Sequence, residues 1–360
     1  MLGDVAVAVV SHVDDFASTG EDDAVAEYRR RLHERFDMTG GPIEEYYGLD
    51  VGVDRKRGVT SLSACGYIER MQAKLKIKTV PAWVQTPMEP ELELVREEGE
   101  CKDKQLQRQY RTVVGMVLHV AVCARPDVAA AARALSSHLQ HPTQLHLDAA
   151  MRAVYYLVNT KALALTYGRY PDEAGFYGTA DAAHNTEQGS KGVTGWAFHL
   201  AGAAVAWKSR VQPLVALSST EAEIIAVDDA TRELRYLEKI LADFGIAAPR
   251  PTPIGQDNLS TCRLVGSTRW NPRSKHLALR YHSTGDLQRA GVLQVKYLPT
   301  DAMPSDALTK ALARAPHQRH TKVLLGLAPL RWQQQLAAKD EADAAAGKAV
   351  GGWRPGAGSS

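Results

Sequence analysis

The amino-acid sequence predicts an α/β (α+β) protein with two unlike halves, and three observations carry that prediction. Residues 175–312 alternate short strand-like runs with helical stretches. Residues 111–159 hold three helical patterns in succession. A highly charged stretch without apolar periodicity, residues 88–109, precedes those helices.

Taken in order, Val5–Val10 alternates β-branched residues and reads as a strand. SHVDDFASTG follows at once, and its adjacent Asp14 and Asp15 suit either a turn or a metal-binding hairpin. Residues 22–36 put Val25, Tyr28, Leu32 and Phe36 on one side of a helix. Residues 88–109 (MEPELELVREEGECKDKQLQRQ) read as a linker or exposed loop. Helical patterns then occupy 111–124, 127–139 and 144–159. PDEAG, 171–175, is turn chemistry. Candidate strands follow at Gly175–Asp181, Gly192–Leu200 and Ala203–Lys208, and Ser219–Phe244 is a long amphipathic helix. TPIGQD, 252–257, reads as a strand with a helix behind it to about Leu264. VLQVKYLP, 292–299, alternates as another strand, and a helix is expected over Pro304–Leu312. From Gln333 the chain becomes Ala-rich and then Gly-rich, a composition expected to be disordered.

Composition narrows the function classes. The 360 residues allow two domains and a sizeable core. Apolar residues at 45% and charged residues at 23% are ordinary for a globular protein. A net charge of +2 leaves any nucleic-acid contact to local patches. Cys65, Cys101, Cys123 and Cys262 are scattered and lack Cys-x-x-Cys spacing, so they read as reduced intracellular thiols. No apolar run reaches membrane-spanning length, and GDVAVAVV lacks the basic leader and cleavage site of a signal peptide. An intracellular protein, cytoplasmic or nuclear, is therefore expected, with no membrane partner.

Four acids sit where such a fold places chemistry. Asp181 ends the first strand of the second half, and Glu223 lies in the first turns of the long helix. Asp257 ends the fourth strand, and Asp306 opens the last helix. Strand ends and helix starts on one side of a mixed sheet are neighbours in space. Carboxylates gathered there repel unless cations lie between them. Hard oxygen donors of this kind suit Mg²⁺, and two such ions can clamp a phosphodiester. The run ALSSTEAE, 216–223, allows two capping pairs, Ser218 with Glu221 and Thr220 with Glu223. One glutamate suffices as a cap and the other is free.

These residues lie within a longer resemblance. AVAWKSRVQPLVALSSTEAEIIAV (204–227) resembles the ribonuclease H domain of copia-type LTR retrotransposon Pol polyproteins. TADAAHN (179–185), GVTGWAFHLAG (192–202), PIGQDNLST (253–261), RSKHLALRYH (273–282) and YLPTDAMPSDALTK (297–310) continue it in order. The resemblance implies a ribonuclease H-like five-stranded mixed sheet with helices. It puts Asp181, Glu223, Asp257 and Asp306 on the four metal-binding, catalytic carboxylates, with Glu221 as the cap. It implies a two-metal site for Mg²⁺ or Mn²⁺ and cleavage of the RNA strand of an RNA:DNA hybrid. Where the family has Asp-x-Asp-Trp, this chain has Ala183 and His184, and a further family Asp is Ala278.

The first half fits the same family. HVDD, 12–15, resembles the YVDD turn of its reverse transcriptase. FDMTGGPIEEYYGLDV (36–51), GYIERM (66–71), YRTVVGMVLHVAVCARPDVAAA (110–131) and HLDAAMRAVYYLVNT (146–160) resemble the segments that follow that turn. The expected organisation is a palm remnant and start of thumb over 1–87, then a charged linker over 88–109. A helical thumb and connection region follows over 110–168, the ribonuclease H-like domain over 169–330, and a disordered tail over 331–360. Asp14 and Asp15 are read as a polymerase remnant without activity, since a further aspartate on an earlier strand is needed and only 11 residues precede His12. The missing polymerase portion is then a candidate partner. For hybrid phosphates the candidates are Lys208, Arg210, Arg273, Lys275, His276 and Arg280. Two rival readings are a catalytically silent nucleic-acid-binding remnant and a decayed open reading frame.

Overall fold

The computed structural model describes residues 7–13, 15–95, 103–170, 175–184, 191–266 and 278–330, with backbone alone for 278–282. Strands β1 (Ala8–His12) and β2 (Asp15–Thr19) form an antiparallel hairpin, followed by helix α1 (Asp22–His33). Of the Val5–Val10 run, residues 8–10 lie in β1, which continues to His12, while Val5 and Ala6 lie outside the described residues. Strands β3 (Glu45–Tyr46), β4 (Leu49–Asp54) and β5 (Val59–Ser63) make a small antiparallel sheet, and helix α2 (Cys65–Lys74) leaves it.

Helix α3 (Lys104–Cys123) begins inside the stretch expected to be a linker or loop. The charged 88–109 reading fails at that end for a local reason. Asp103 accepts hydrogen bonds from the Gln105 and Leu106 amides and caps the helix, while Gln107 and Tyr110 already lie on its buried face. A 3₁₀ turn, Pro126–Val128, leads into α4 (Ala129–Ser136), and α5 (Gln144–Asn159) follows. Tyr110, Val113, Val117, Leu135, Val154 and Leu157 fill the core among α2, α3, α4 and α5. Strand β6 (Leu165–Tyr167) returns to pair with β5.

The second half is built on strands β7 (Tyr177–Ala183), β8 (Val193–Leu200) and β9 (Ala203–Val211), joined as an antiparallel meander. Helix α6 (Ser219–Asp243) crosses one face of this meander. Strand β10 (Thr252–Gln256) then pairs parallel with β7. Helices α7 (Leu259–Gly266) and α8 (Ala278–Arg289) precede β11 (Leu293–Tyr297), which pairs parallel with β10. The spatial order is β11-β10-β7-β8-β9, a five-stranded mixed sheet with β7 at its centre. After a 3₁₀ turn at Thr300–Ala302, the helix expected over Pro304–Leu312 is only α9 (Asp306–Thr309), and α10 (Arg314–Leu324) follows it.

The two faces of the sheet are covered differently. Val227, Ala230 and Leu234 of α6 recur at helical spacing and pack on Ala180, Trp196, Phe198 and Ile254. On the other face Ala197 meets Ala307, Leu308, Leu312 and Leu324, with Ala129 of α4 and Trp207 alongside. The Trp207 indole N–H donates to the Ala121 carbonyl at 2.8 Å, and the Thr166 amide donates to Leu325 O at 2.8 Å. The helical region and the five-stranded sheet therefore share hydrogen bonds as well as apolar surface. No helix among the described residues is long and apolar enough to cross a membrane.

Candidate metal centre

Local sequence sets up α6 so that one glutamate caps and another is left over. Ser218 is the N-cap, and its hydroxyl accepts from the Glu221 amide at 3.2 Å. Glu221 reaches back to accept from the Leu217 amide at 2.8 Å. Glu223 lies in the next turn, 6% exposed, on the side facing the sheet centre. A similar division of labour follows β10. Asn258 Oδ1 accepts from the Thr261 amide at 3.1 Å and holds the start of α7, which leaves the Asp257 side chain to the site.

Asp181 lies within β7 rather than at its end, because that strand runs on to Ala183. One carboxylate oxygen from each of Asp181, Glu223 and Asp257 lies within 4.8 Å of the others. Three neighbours each hold one oxygen of these carboxylates in place. Thr309 Oγ1 donates to Asp181 Oδ2 at 2.8 Å, Gln256 Nε2 donates to Glu223 Oε2 at 3.1 Å, and Thr300 Oγ1 donates to Asp257 Oδ2 at 2.8 Å. Asp306, 7% exposed at the start of α9, stands beside the three and is paired with Lys310 Nζ at 2.6 Å.

The electrostatics show how strongly the acids repel one another. Burial, reinforced by the charges of Asp306 and Asp257, raises the Asp181 carboxyl to about 7. Burial also raises Glu223, to about 10, with Asp181 and Asp257 adding to it. Asp257 is raised by burial and by Asp306, against the Thr300 hydrogen bond. Burial pulls the Lys310 ammonium downward, but its bond to Asp306 and the nearby Asp181 and Asp257 outweigh that and hold it above its ordinary value. The carboxylates resist ionising together. A divalent cation among them relieves that repulsion and satisfies their hard oxygens, so the residues present fit Mg²⁺ or Mn²⁺.

The other candidates fall elsewhere. Lys208 and Arg210 lie on edge strand β9, with β8 between them and β7. Lys208 pairs in register with Trp196, on the α6 face, and its Nζ stands 5.8 Å from that ring centre. Arg210 donates to Asp229 of α6 at 2.9 Å. The structure does not bring these two to the carboxylates: β8 separates their strand from Asp181, and alternation turns them onto Trp196 and Asp229 instead. The Arg280 backbone lies in α8. Arg273, Lys275, His276, Asp14 and the 331–360 tail lie outside the described residues. Asp15 is exposed at the start of β2, apart from the carboxylate group. Lys310, Thr309, Gln256 and Thr300 were not anticipated. The four-residue spacing of Asp306 and Lys310 was the available signal for the first of them.

Three parallel strands, β11, β10 and β7, continued by the antiparallel β8 and β9, with acids converging at the central β7, define a ribonuclease H-like α/β protein. The chain belongs to the family of copia-type LTR retrotransposon Pol polyproteins. It is 30% identical over 314 residues to the retrovirus-related Pol polyprotein from transposon TNT 1-94 of Nicotiana tabacum, covering 86% of this chain and 23% of that one. It is also 30% identical over 324 residues to the Pol polyprotein from transposon RE1 of Arabidopsis thaliana, covering 87% of this chain and 21% of that one. The chain thus spans less than a quarter of the length of these relatives. No protein-family model matches it. Among solved structures, LC11-RNase H1 isolated from compost is similar at a TM-score of 0.31 and 14% identity, over 38% of this chain and 93% of that one.

Proposed function

We propose that this chain is a divalent-cation-dependent ribonuclease H that hydrolyses the RNA strand of RNA:DNA hybrids. The observation that carries this reading is the convergence of Asp181, Glu223 and Asp257 oxygens within 4.8 Å on the central strand's side of the sheet. Those three, with Asp306, would hold Mg²⁺ or Mn²⁺. When bound there, such ions supply an activated water and charge stabilisation for the leaving oxygen.

The chain's own part is to keep the site rigid. Thr309, Gln256 and Thr300 fix one oxygen each of Asp181, Glu223 and Asp257, so the ligands need little reorganisation. Lys310 sets a positive charge beside Asp306 at the pocket's rim, 48% exposed, where a phosphate could approach. RNA preference would come from hybrid geometry and the 2′-hydroxyl rather than from base sequence. For phosphate binding we retain Arg273, Lys275, His276 and Arg280, while the internal partners of Lys208 and Arg210 speak against those two. We propose the same division of the chain as above, with the helical thumb and connection region starting at Lys104.

Polymerase activity is no part of this proposal. Asp15 joins no group of three potential metal ligands among the described residues. Exposed Val10, Val13, Phe16, Phe36 and Tyr47 around the N-terminal hairpin suit contact with the remaining polymerase portion of a Pol polyprotein. The decisive experiment compares hybrid cleavage by the parent and by Asp257→Asn in Mg²⁺. Cleavage by the parent alone supports the reading. Equal cleavage by both, or by neither, sinks it, and in the latter case the catalytically silent remnant takes its place.

A further inference from the structure

The CARPDV run of the first half has no role in the metal centre, yet it holds an ion pair whose two side chains are both fully buried. Arg125 is fully buried, and its Nε and Nη2 donate to the two Asp127 oxygens at 2.8 and 2.7 Å. Its guanidinium also donates to the Thr160 carbonyl at 3.0 Å and to the Thr160 hydroxyl at 2.8 Å. Tyr156 of α5 donates its hydroxyl proton to Asp127 Oδ2 at 2.6 Å. With that proton committed, the His317 Nε2 of α10, 3.1 Å away, is the donor to the Tyr156 oxygen. Burial holds His317 down at about 4, so the imidazole is neutral near neutral pH.

This cluster backs onto the segment that carries Asp306 and Lys310. Helix α9 is held between two surfaces. On the sheet side, Gly195 of β8 leaves no room for a side chain: a Cβ there would lie 2.7 Å from Thr309 Cγ2, 2.8 Å from Leu308 Cβ and 2.9 Å from Ser305 O. On the other side, Ala307 and Leu308 pack with Ala129 of α4. A small cavity at this seam is lined by Asp127, Ala130, Lys310, Leu312 and His317 among others. A four-residue helix has too few hydrogen bonds of its own to hold a position. Its placement comes from what it packs against.

We propose that the Arg125–Asp127–Tyr156–His317 chain of hydrogen bonds is a positioning device, by which the helical region fixes α9 and so sets Asp306 and Lys310 against the carboxylate cluster. A buried ion pair contributes little net stability but strongly disfavours other arrangements once formed. The nuclease site is on this view completed by residues 125–160 together with His317, outside the five-stranded sheet. The inference rests on the metal-site reading above. None of the four residues touches the metal ligands; they act through α9.

Mn²⁺ binding to the full chain, followed by the paramagnetic resonance of free Mn²⁺, tests it without recourse to activity. Tyr156→Phe and His317→Leu each break one link and are expected to weaken binding at least fivefold. His317→Gln keeps a donor near the Nε2 position and is expected to bind within twofold of the parent. Ile68→Ala, in the helical core away from the cluster, is expected to lower the melting temperature while leaving Mn²⁺ affinity unchanged. Parent-like binding by Tyr156→Phe and His317→Leu overturns the proposal, as does an equal loss in Ile68→Ala. If the parent binds Mn²⁺ no better than Asp181→Asn, the metal site itself is misread and the inference falls with it.

Discussion

Replacing Asp181 with asparagine should stabilise the metal-free protein and abolish its stabilisation by metal. The side chain is 4% exposed, and burial with its acidic neighbours raises it from 3.8 to about 7. The folded state therefore holds a proton that the unfolded chain has released. Stability attributable to this group is fully present below about pH 4 and is lost as pH rises through about 7. Ionising it at about pH 8 costs roughly 2–4 kcal/mol, with Glu223 sharing the same repulsion. An asparagine side chain in its place has the same shape and could still accept from Thr309, but carries no charge. Without metal, Asp181→Asn should melt on the order of 5–10 °C higher at about pH 8, with little difference at about pH 4. Mn²⁺ at 1,000 times its dissociation constant reverses the ranking, because it contributes about 4.1 kcal/mol to the parent alone. Scanning calorimetry at several pH values, with and without Mn²⁺, reads both effects. A lower metal-free melting temperature for the variant at about pH 8, or equal Mn²⁺ stabilisation of both proteins, refutes the reasoning.

Other outcomes follow from single features. Gly195→Ala should destabilise by about 1–3 kcal/mol in urea unfolding and weaken Mn²⁺ binding, since its Cβ meets side-chain atoms of α9 and the Ser305 carbonyl just before it, all under 3 Å away. His199 is buried, its ring stacked 4.7 Å from Tyr177, with neither ring nitrogen hydrogen-bonded among the described residues. Burial lowers its value from 6.5 to about 3, so the stability it allows above pH 6.5 is lost as pH falls toward 3. His199→Phe should therefore flatten the acid side of the stability profile, measured by urea unfolding between about pH 6.5 and 4. Asp127→Asn leaves the Arg125 charge buried without its counter-charge and should cost about 3–5 kcal/mol, read in the same assay. Ser218→Ala removes the α6 cap and should cost about 1 kcal/mol.

Much of the fold was legible because it is written locally. Residues 144–159 repeat apolar side chains at helical spacing, and α5 has those bounds. Strand β8 and helix α6 differ from the sequence expectation by a residue at one end. The overlooked first turns of α3, from Lys104, had their signal too, an aspartate cap before Leu106 and Tyr110, hidden within a run of charges. The basic residues were harder to place. Lys208 and Arg210 sit on alternate positions of one strand, and alternation says that they share a face without saying which. Only pairing with β8 puts them beside Trp196 and the α6 side chains, where Asp229 takes Arg210.

The sequence by itself determined that one glutamate of the ALSSTEAE run caps a helix while the other is left over, and that strands and helices alternate in the order of a mixed sheet. Such features depend on groups within a turn or two of each other, so neighbours in the chain suffice to reveal them. The tertiary structure decided that Thr309 holds Asp181 across 128 residues of chain, that Lys310 answers Asp306, and that Tyr156 and His317 gather around the buried Arg125–Asp127 pair. Those contacts arise from strand order and from what covers each face of the sheet. Both are outcomes of packing the whole chain at once, and no short stretch of residues encodes them.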